Sequence, residues 1–311
     1  MGRKTKDHGG LPQGCITVRT YAEMENWVSD FADGKFSLLL IIGRPGTSKS
    51  QTVKRSLSRS DHLYIETHAS ALGMYQELYR HRDLPTVIDD IDSIYSDRPS
   101  VRLLKSLCNT DSVKTLRWLT NAAVIGDEMD QTPREFKTKS PVCLIANRWE
   151  SVNDNVRAIE DRAVIIHFDP TPIEVHQKVA SWFGDQEVYD FLQDHLHLIP
   201  QPSMRHYLKG AQLRNAGRAD WKDNLLEMCS IDDKARAVVA LMVDDNYDGE
   251  NARAEEFTRR GFGSRDTYFA RKKRLGTKIC HPQIALPNAE PAPAAPVTEI
   301  IVSDATFKDV A

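Results

Sequence analysis

Phe36-Ser37-Leu38-Leu39-Leu40-Ile41-Ile42 runs directly into Gly43-Arg44-Pro45-Gly46-Thr47-Ser48-Lys49-Ser50, and this stretch decides the fold. A short apolar run without alternation reads as a strand buried on both faces, the kind found in parallel sheets. The segment from Gly43 to Ser50 has the makings of a phosphate-binding loop. Glycine lets the backbone curl so that successive N–H groups face an anion, and the next helix offers the same anion its positive end. Lys49 is placed to reach the β- and γ-phosphates of a nucleotide, and Ser50 to hold Mg²⁺. Gly43, Pro45, Gly46, Thr47, Ser48, Lys49, Ser50 and Gln51 are therefore the candidate nucleotide-binding residues. The match to G-x-x-x-x-G-K-[ST] lacks one residue, because Ser48 stands where glycine is usual.

Working outward, Leu84-Pro85-Thr86-Val87-Ile88 is a second apolar run and ends on Asp89-Asp90-Ile91-Asp92. Carboxylates at the C-terminal tip of a central strand lie where open α/β sheets bind ligands, so Asp89 is a candidate for Mg²⁺ and Asp90 for orienting the attacking water. A third run, Val142 to Ala146, ends on Asn147. A fourth, Ala163 to Phe168, comes after Arg157-Ala158-Ile159-Glu160-Asp161-Arg162.

In this order, the motifs resemble those of AAA+ ATPases, with the likeness spanning about Tyr21 to Trp221. Lys49-Ser50-Gln51 is similar to the loop of minichromosome maintenance helicases, and MoxR-type members share a small residue in place of Ser48. The resemblance makes Asn147 a sensor 1 residue, Arg162 an arginine finger, and Arg205, in Pro202-Ser203-Met204-Arg205, the sensor 2 residue of a lid. With Asp90, these are the candidate catalytic residues; Arg157 is an alternative finger. The same resemblance implies ATP and Mg²⁺ as cofactors and a homo-oligomeric ring or filament, a hexamer being favoured, because a finger acts on a neighbour's nucleotide. Asp90 stands where most members have glutamate, and one methylene less withdraws the carboxylate by about 1.5 Å, which points to slow hydrolysis.

The expected fold is α/β: a P-loop NTPase with a parallel five-stranded sheet covered by helices, a helical lid and a small helical C-terminal domain. Residues 1–20 read as a polar lead and 21–172 as the nucleotide-binding core. Asp169-Pro170-Thr171-Pro172 marks a hinge. Residues 173–230 form the lid, with Val175, Val179, Trp182 and Phe183 at helical spacing, and 231–280 a basic domain. Residues 281–311 read as a disordered, Pro/Ala-rich tether in which Ile300-Ile301-Val302 could add a strand to a partner.

Between Asp92 and the third run, Arg117, Trp118, Arg134, Phe136, Lys137 and Lys139 interleave charge with aromatics, a pattern suited to a nucleic-acid backbone and stacked bases if the segment forms a hairpin. Near the end, helical patterns over Asp232–Asp244, Glu250–Arg260 and Ser264–Leu275 resemble a helix-turn-helix. Ser264 is positioned to cap the last helix and Tyr268, Phe269 and Leu275 to anchor it, leaving Arg265, Thr267, Arg271, Lys272 and Arg274 for a DNA groove. Arg253 to Lys278 holds nine basic and three acidic residues, in a chain of formal charge -3.

The 311 residues are 41% apolar, enough for an α/β core and a helical unit. Five cysteines without paired or metal-like spacing argue against a disulfide framework and for a reducing, cytoplasmic setting. No run reaches the length of a membrane span, and a membrane role is not expected. Three functions remain open: remodelling of DNA or a DNA-bound protein complex by an initiator, helicase loader or mobile-element ATPase; a MoxR-type chaperone acting on protein; and a nucleotide-gated DNA-binding switch with negligible hydrolysis.

Overall fold

Leu38–Ile42 forms strand β2, and all five side chains are buried. Their removal from water contributes on the order of 10 kcal/mol. In the computed structural model the described residues are 11–66, 70–91, 98–118, 132–149, 154–242, 244, 246–276 and 299–302. They divide into two compact units, residues 1–170 with 292–311, and residues 171–291.

The first unit is built on a parallel sheet. Beside β2 stand β7 (Val142–Ala146), β4 (Thr86–Ile88) and β3 (His62–Ile65) on one side, and β8 (Val164–Phe168) and β1 (Ile16–Val18) on the other. The far edge carries β9 (Glu299–Val302), giving the order β1-β8-β2-β7-β4-β3-β9 with every pairing parallel. Helices α1 (Tyr21–Ala32), α2 (Lys49–Leu57), α3 (Ala71–Arg80), α4 (Arg98–Leu107) and α5 (Asp154–Glu160) alternate with the strands. The chain passes from β2 to β3 over two intervening strands, so the tips of β7 and β4 come to lie beside the loop that leaves β2.

The sheet has seven strands among the described residues, where the sequence suggested five. The polar lead supplies β1, whose Ile16-Thr17-Val18 pairs with Ile166-His167-Phe168. The tail supplies β9: Ile300, Ile301 and Val302 pair with Leu63, Tyr64 and Ile65 of the chain's own β3. β-branched residues suit a strand, and an uncovered edge of a buried parallel sheet is a liability, so this segment docks in cis instead of remaining a free tether. Residues 1–10, 281–298 and 303–311 of the lead and tail lie outside the described residues.

β5 (Lys114–Arg117) and β6 (Glu135–Thr138) pair antiparallel as the expected hairpin, with the residues between 118 and 132 outside those described. Its aromatics do not face solvent, however. Phe136 packs against Tyr75 and Tyr79, and Trp118 against Tyr75, because the period-two alternation of β6 turns Phe136 inward and Lys137 outward. Arg117 is paired with Glu135 at 2.6 Å. Among the described residues this face therefore offers no stacking surface for bases; exposed charge remains at Arg134, Lys137 and Lys139.

The second unit is helical: α6 (Pro172–Ala180), α7 (Gln186–His195), α8 (Met204–Asn215), α9 (Trp221–Met228), α10 (Asp233–Met242), α11 (Glu250–Arg259) and α12 (Arg265–Gly276). Pro172 opens α6 at the first position, where a missing N–H costs nothing, with Thr171 as cap. Val175, Val179 and Phe183 are buried, whereas Trp182 is 41% exposed. The close approach of α7, α8 and α9 depends on Gly210, where a Cβ would stand 2.6 Å from Val188 and 2.8 Å from Leu225.

Candidate functional site

The loop between β2 and α2 is fixed from several sides. Gly43 donates its N–H to the Ala146 carbonyl, and a Cβ there would fall 2.5 Å from the Phe168 carbonyl oxygen, so only glycine passes between β7 and β8. The Tyr21 hydroxyl, from the first residue of α1, donates to the Thr47 carbonyl at 2.9 Å, and the Thr47 hydroxyl donates to the Arg44 carbonyl. Gly46 and Ser48 both adopt left-handed backbone, with φ of 81° and 62°. At Ser48 this conformation costs about 1–2 kcal/mol that glycine would avoid, which is the physical content of the departure at that position.

Lys49 begins α2 and is buried, with its ammonium group donating to Gly43 O at 2.6 Å, Arg44 O at 2.9 Å and Asn147 Oδ1 at 3.0 Å. Asn147, at the tip of β7, donates through Nδ2 to Asp90 Oδ1 at 3.0 Å. Asp90 is held in left-handed backbone, φ 53°, and its N–H donates to the Asp89 carboxylate. Thus the loop lysine, the β7 asparagine and the β4 acid form one hydrogen-bonded chain. Strain at a non-glycine residue is often retained where a side chain must be aimed.

The sheet order explains the grouping: β7 stands between β2 and β4, so Asn147 bridges two motifs that are well separated in sequence. The central sheet with this loop has the form of a P-loop fold.

No family model matches the chain. Over 123 residues it is 28% identical to the "Uncharacterized 36.7 kDa protein in nrdC-mobD intergenic region" of Enterobacteria phage T4, covering 37% of this chain and 37% of that relative's length. Among solved structures, that of C. elegans PCH-2 aligns with 67% of this chain and 66% of its own at 12% identity and a TM-score of 0.40.

Asp89 accepts a hydrogen bond from the Tyr64 hydroxyl at 2.8 Å. Burial, with the Asp89 charge beside it, raises the Tyr64 pKa strongly. Ser50, in the first turn of α2, and Asp89, just after β4, supply a hydroxyl and a carboxylate, a donor set that fits a hard divalent cation such as Mg²⁺ whose remaining ligands are water and phosphate oxygens. Tyr64 was not among the expected site residues. Its signal is a phenol inside a four-residue buried strand, since a buried tyrosine hydroxyl needs a partner.

Pro45 is exposed on the loop, and Gln51 is exposed in the first turn of α2. Arg162 comes after α5 and directs Nη1 toward the Lys105 carbonyl near the end of α4 at 3.4 Å, while Arg157 is exposed on α5. Arg205 is exposed in the first turn of α8, in the helical unit. Asp92 lies outside the described residues.

The three C-terminal helices form as expected, with Ser264 accepting from the Thr267 N–H and Tyr268 and Leu275 buried. Phe269 is not an anchor: it is 39% exposed, one residue and so about 100° around the helix from Tyr268. The expected groove residues are largely engaged. Arg271 pairs with Asp232, Lys272 with Glu250 at 2.6 Å, and Arg265 with Glu255 at 3.3 Å, while Thr267 meets the Ser264 hydroxyl. Arg274 belongs to α12, but its side chain lies outside the described residues. Asp232 to Gly276 holds ten basic and nine acidic residues, so the strongly basic stretch folds into a nearly neutral unit.

Proposed function

We propose that the chain is a AAA+-type ATPase that binds Mg²⁺-ATP at the β2–α2 loop and couples its hydrolysis to remodelling DNA or a DNA-bound protein complex, as an initiator, helicase loader or mobile-element ATPase. The observation that carries the nucleotide part is the Lys49–Asn147–Asp90 hydrogen-bonded chain, which joins an ammonium group, an amide and a carboxylate at the tips of neighbouring strands.

On this reading the loop amides and Lys49 hold the phosphates, and Lys49 exchanges carbonyl partners for phosphate oxygens. Ser50 and Asp89 hold Mg²⁺, which supplies charge neutralisation on the phosphates. Asp90 and Asn147 orient the attacking water, Asn147 because its amide both donates and accepts. Arg162 or Arg157 offsets charge on a neighbouring subunit's nucleotide, and Arg205 serves the same end from the lid.

Two observations favour other readings. The Asp90 carboxylate is short and already bonded to Asn147, which suits a nucleotide-gated switch with negligible turnover. The near-neutral charge of α10–α12 suits a MoxR-type protein-remodelling role. Phosphate release measured with and without DNA separates the three. Stimulation by DNA, reduced by Lys273→Glu on the exposed face of α12, supports the DNA role; binding of DNA without turnover supports the switch; indifference to DNA leaves the chaperone. The full chain is needed, because truncation before Ile231 would also remove β9 from the sheet.

A further inference from the structure

We infer that Tyr21 is a positioning residue for the phosphate-binding loop: its hydroxyl holds the strained Thr47–Ser48 peptide in the orientation that presents the Ser48 N–H to an anion. This rests on the nucleotide-binding reading above and adds a residue to it.

The orientation follows from the planarity of the peptide bond. The Thr47 C=O and the Ser48 N–H belong to one trans peptide and point in opposite directions. The carbonyl accepts from the Tyr21 hydroxyl at 2.9 Å, so the N–H is turned away from Tyr21. Ser48 also caps α2 without a side-chain hydrogen bond, and its hydroxyl does not compete with an anion for the first amides of that helix. Ser48 is also where the arrangement is least secure. Its φ of 62° is left-handed, a conformation that serine populates poorly and glycine freely. Rotation of the Thr47–Ser48 peptide would relieve that strain and carry the N–H out of place. Thr47 is fully buried, and with the phenol gone its carbonyl would be left without that partner, which adds to the pressure to rotate.

Tyr21 is itself fixed. It opens α1, whose head is closed by a capping box between Thr20 and Glu23, and its ring meets Phe168 edge-on at 5.1 Å. The turn before it is tied to β8, since the Val18 carbonyl accepts from the Asp169 N–H. The Gly43 and Arg44 carbonyls are held differently, by the Lys49 ammonium group. On the reading above, Lys49 gives up those bonds when it turns to phosphate oxygens. The Tyr21 bond lies on the carbonyl side of its peptide, opposite the N–H, and persists when an anion arrives. It therefore supports the Ser48 conformation in the free and the loaded loop alike.

The test uses the full chain, a fluorescent ATP analogue and Mg²⁺. Tyr21→Phe keeps the ring and its contact with Phe168 and deletes only the hydroxyl. Nucleotide affinity is measured in wild type, Tyr21→Phe, Ser48→Gly and the double variant, with melting curves to confirm folding. The expected result is that Tyr21→Phe weakens binding about 3–10-fold, the worth of one hydrogen bond expressed as a smaller population of the competent loop. In the Ser48→Gly background the same change should cost less than about twofold, because glycine adopts the left-handed backbone without help. A merely structural role would lower the melting temperature without this rescue by glycine. Unmoved affinity in Tyr21→Phe, or the same fold-loss in both backgrounds, would overturn the assignment while leaving nucleotide binding intact. A folded wild type that binds no nucleotide would overturn both.

Discussion

Gly43→Ala puts the close passage of β2 between its neighbours to the test. The added methyl carbon would start 2.5 Å from the Phe168 carbonyl oxygen and 3.2 Å from Lys49 Cδ. A carbon–oxygen contact relaxes at about 3.3 Å or more, so the strands must separate by about 0.8 Å. The opposing atom is backbone, fixed by the Ile42–His167 register and by the Asp169 N–H donated to the Val18 carbonyl, and cannot simply rotate away. Overpacking of this kind costs about 1–3 kcal/mol, and one or two weakened ladder hydrogen bonds add about 1 kcal/mol each, giving roughly 2–5 kcal/mol. For a unit of this size, that lowers the melting temperature by roughly 4–20 °C. Gly184, with nothing within 4 Å of its hypothetical Cβ, is the control, and Gly184→Ala should stay within about 0.5 kcal/mol of wild type. Calorimetry or circular dichroism melts read both. If Gly43→Ala melts with wild type, the loop is not pinned against β8 and the geometry argued for Lys49 loses its support.

Asn147→Ala removes the link between Lys49 and Asp90; nucleotide affinity should change little while the turnover number falls about 10²–10³-fold, as for loss of one donor at the reacting group, and unchanged turnover in a phosphate-release assay would contradict the water-positioning role. Glu256 is held at a pKa of about 2, first by Arg259 and then by Arg260. Because the folded value lies below the unfolded one of about 4.3, its stabilising contribution is present above that pH and lost as pH falls from there toward 2. Wild type should therefore lose melting temperature more steeply over that window than Glu256→Gln, and parallel curves would count against the pairing. A chain ending at Pro296 lacks β9 and should show faster amide exchange across His62–Ile65 and more self-association, since the β3 edge is then bare; unchanged exchange would mean that β9 does not cover that edge.

The strands legible in the sequence were β2, β4, β7 and β8, which read as continuous apolar runs. β3 was not legible, because His62 and Tyr64 interrupt its run, although all four of its residues are buried. β1 did not signal itself within the polar lead, and β9 was read as a strand for a partner's sheet, whereas both pair with the edges of this one. At the site, Lys49, Asp89, Asp90 and Asn147 were legible because each ends or succeeds an apolar run at a strand tip. Tyr64 was hidden one strand further out, where only the three-dimensional sheet order brings it beside Asp89. The charge of the C-terminal helices was misjudged for a related reason. Two of the acids that pair with α12, Asp232 and Glu250, precede the basic stretch in sequence but fold against it. Aromatics in β5–β6 suggested a stacking surface, yet strand alternation sends Phe136 toward Tyr75 and Tyr79.

The central claim is that the β2–α2 loop, Lys49 and the β4 acids serve one nucleotide. Equilibrium titration of a fluorescent ATP analogue with Mg²⁺ into wild type and Lys49→Ala tests it most directly. Saturable binding of one nucleotide per chain, weakened about tenfold or more by Lys49→Ala through the lost charge-assisted contact, is the predicted result. Absence of binding by a folded wild-type chain, or equal affinity in the two proteins, would contradict it.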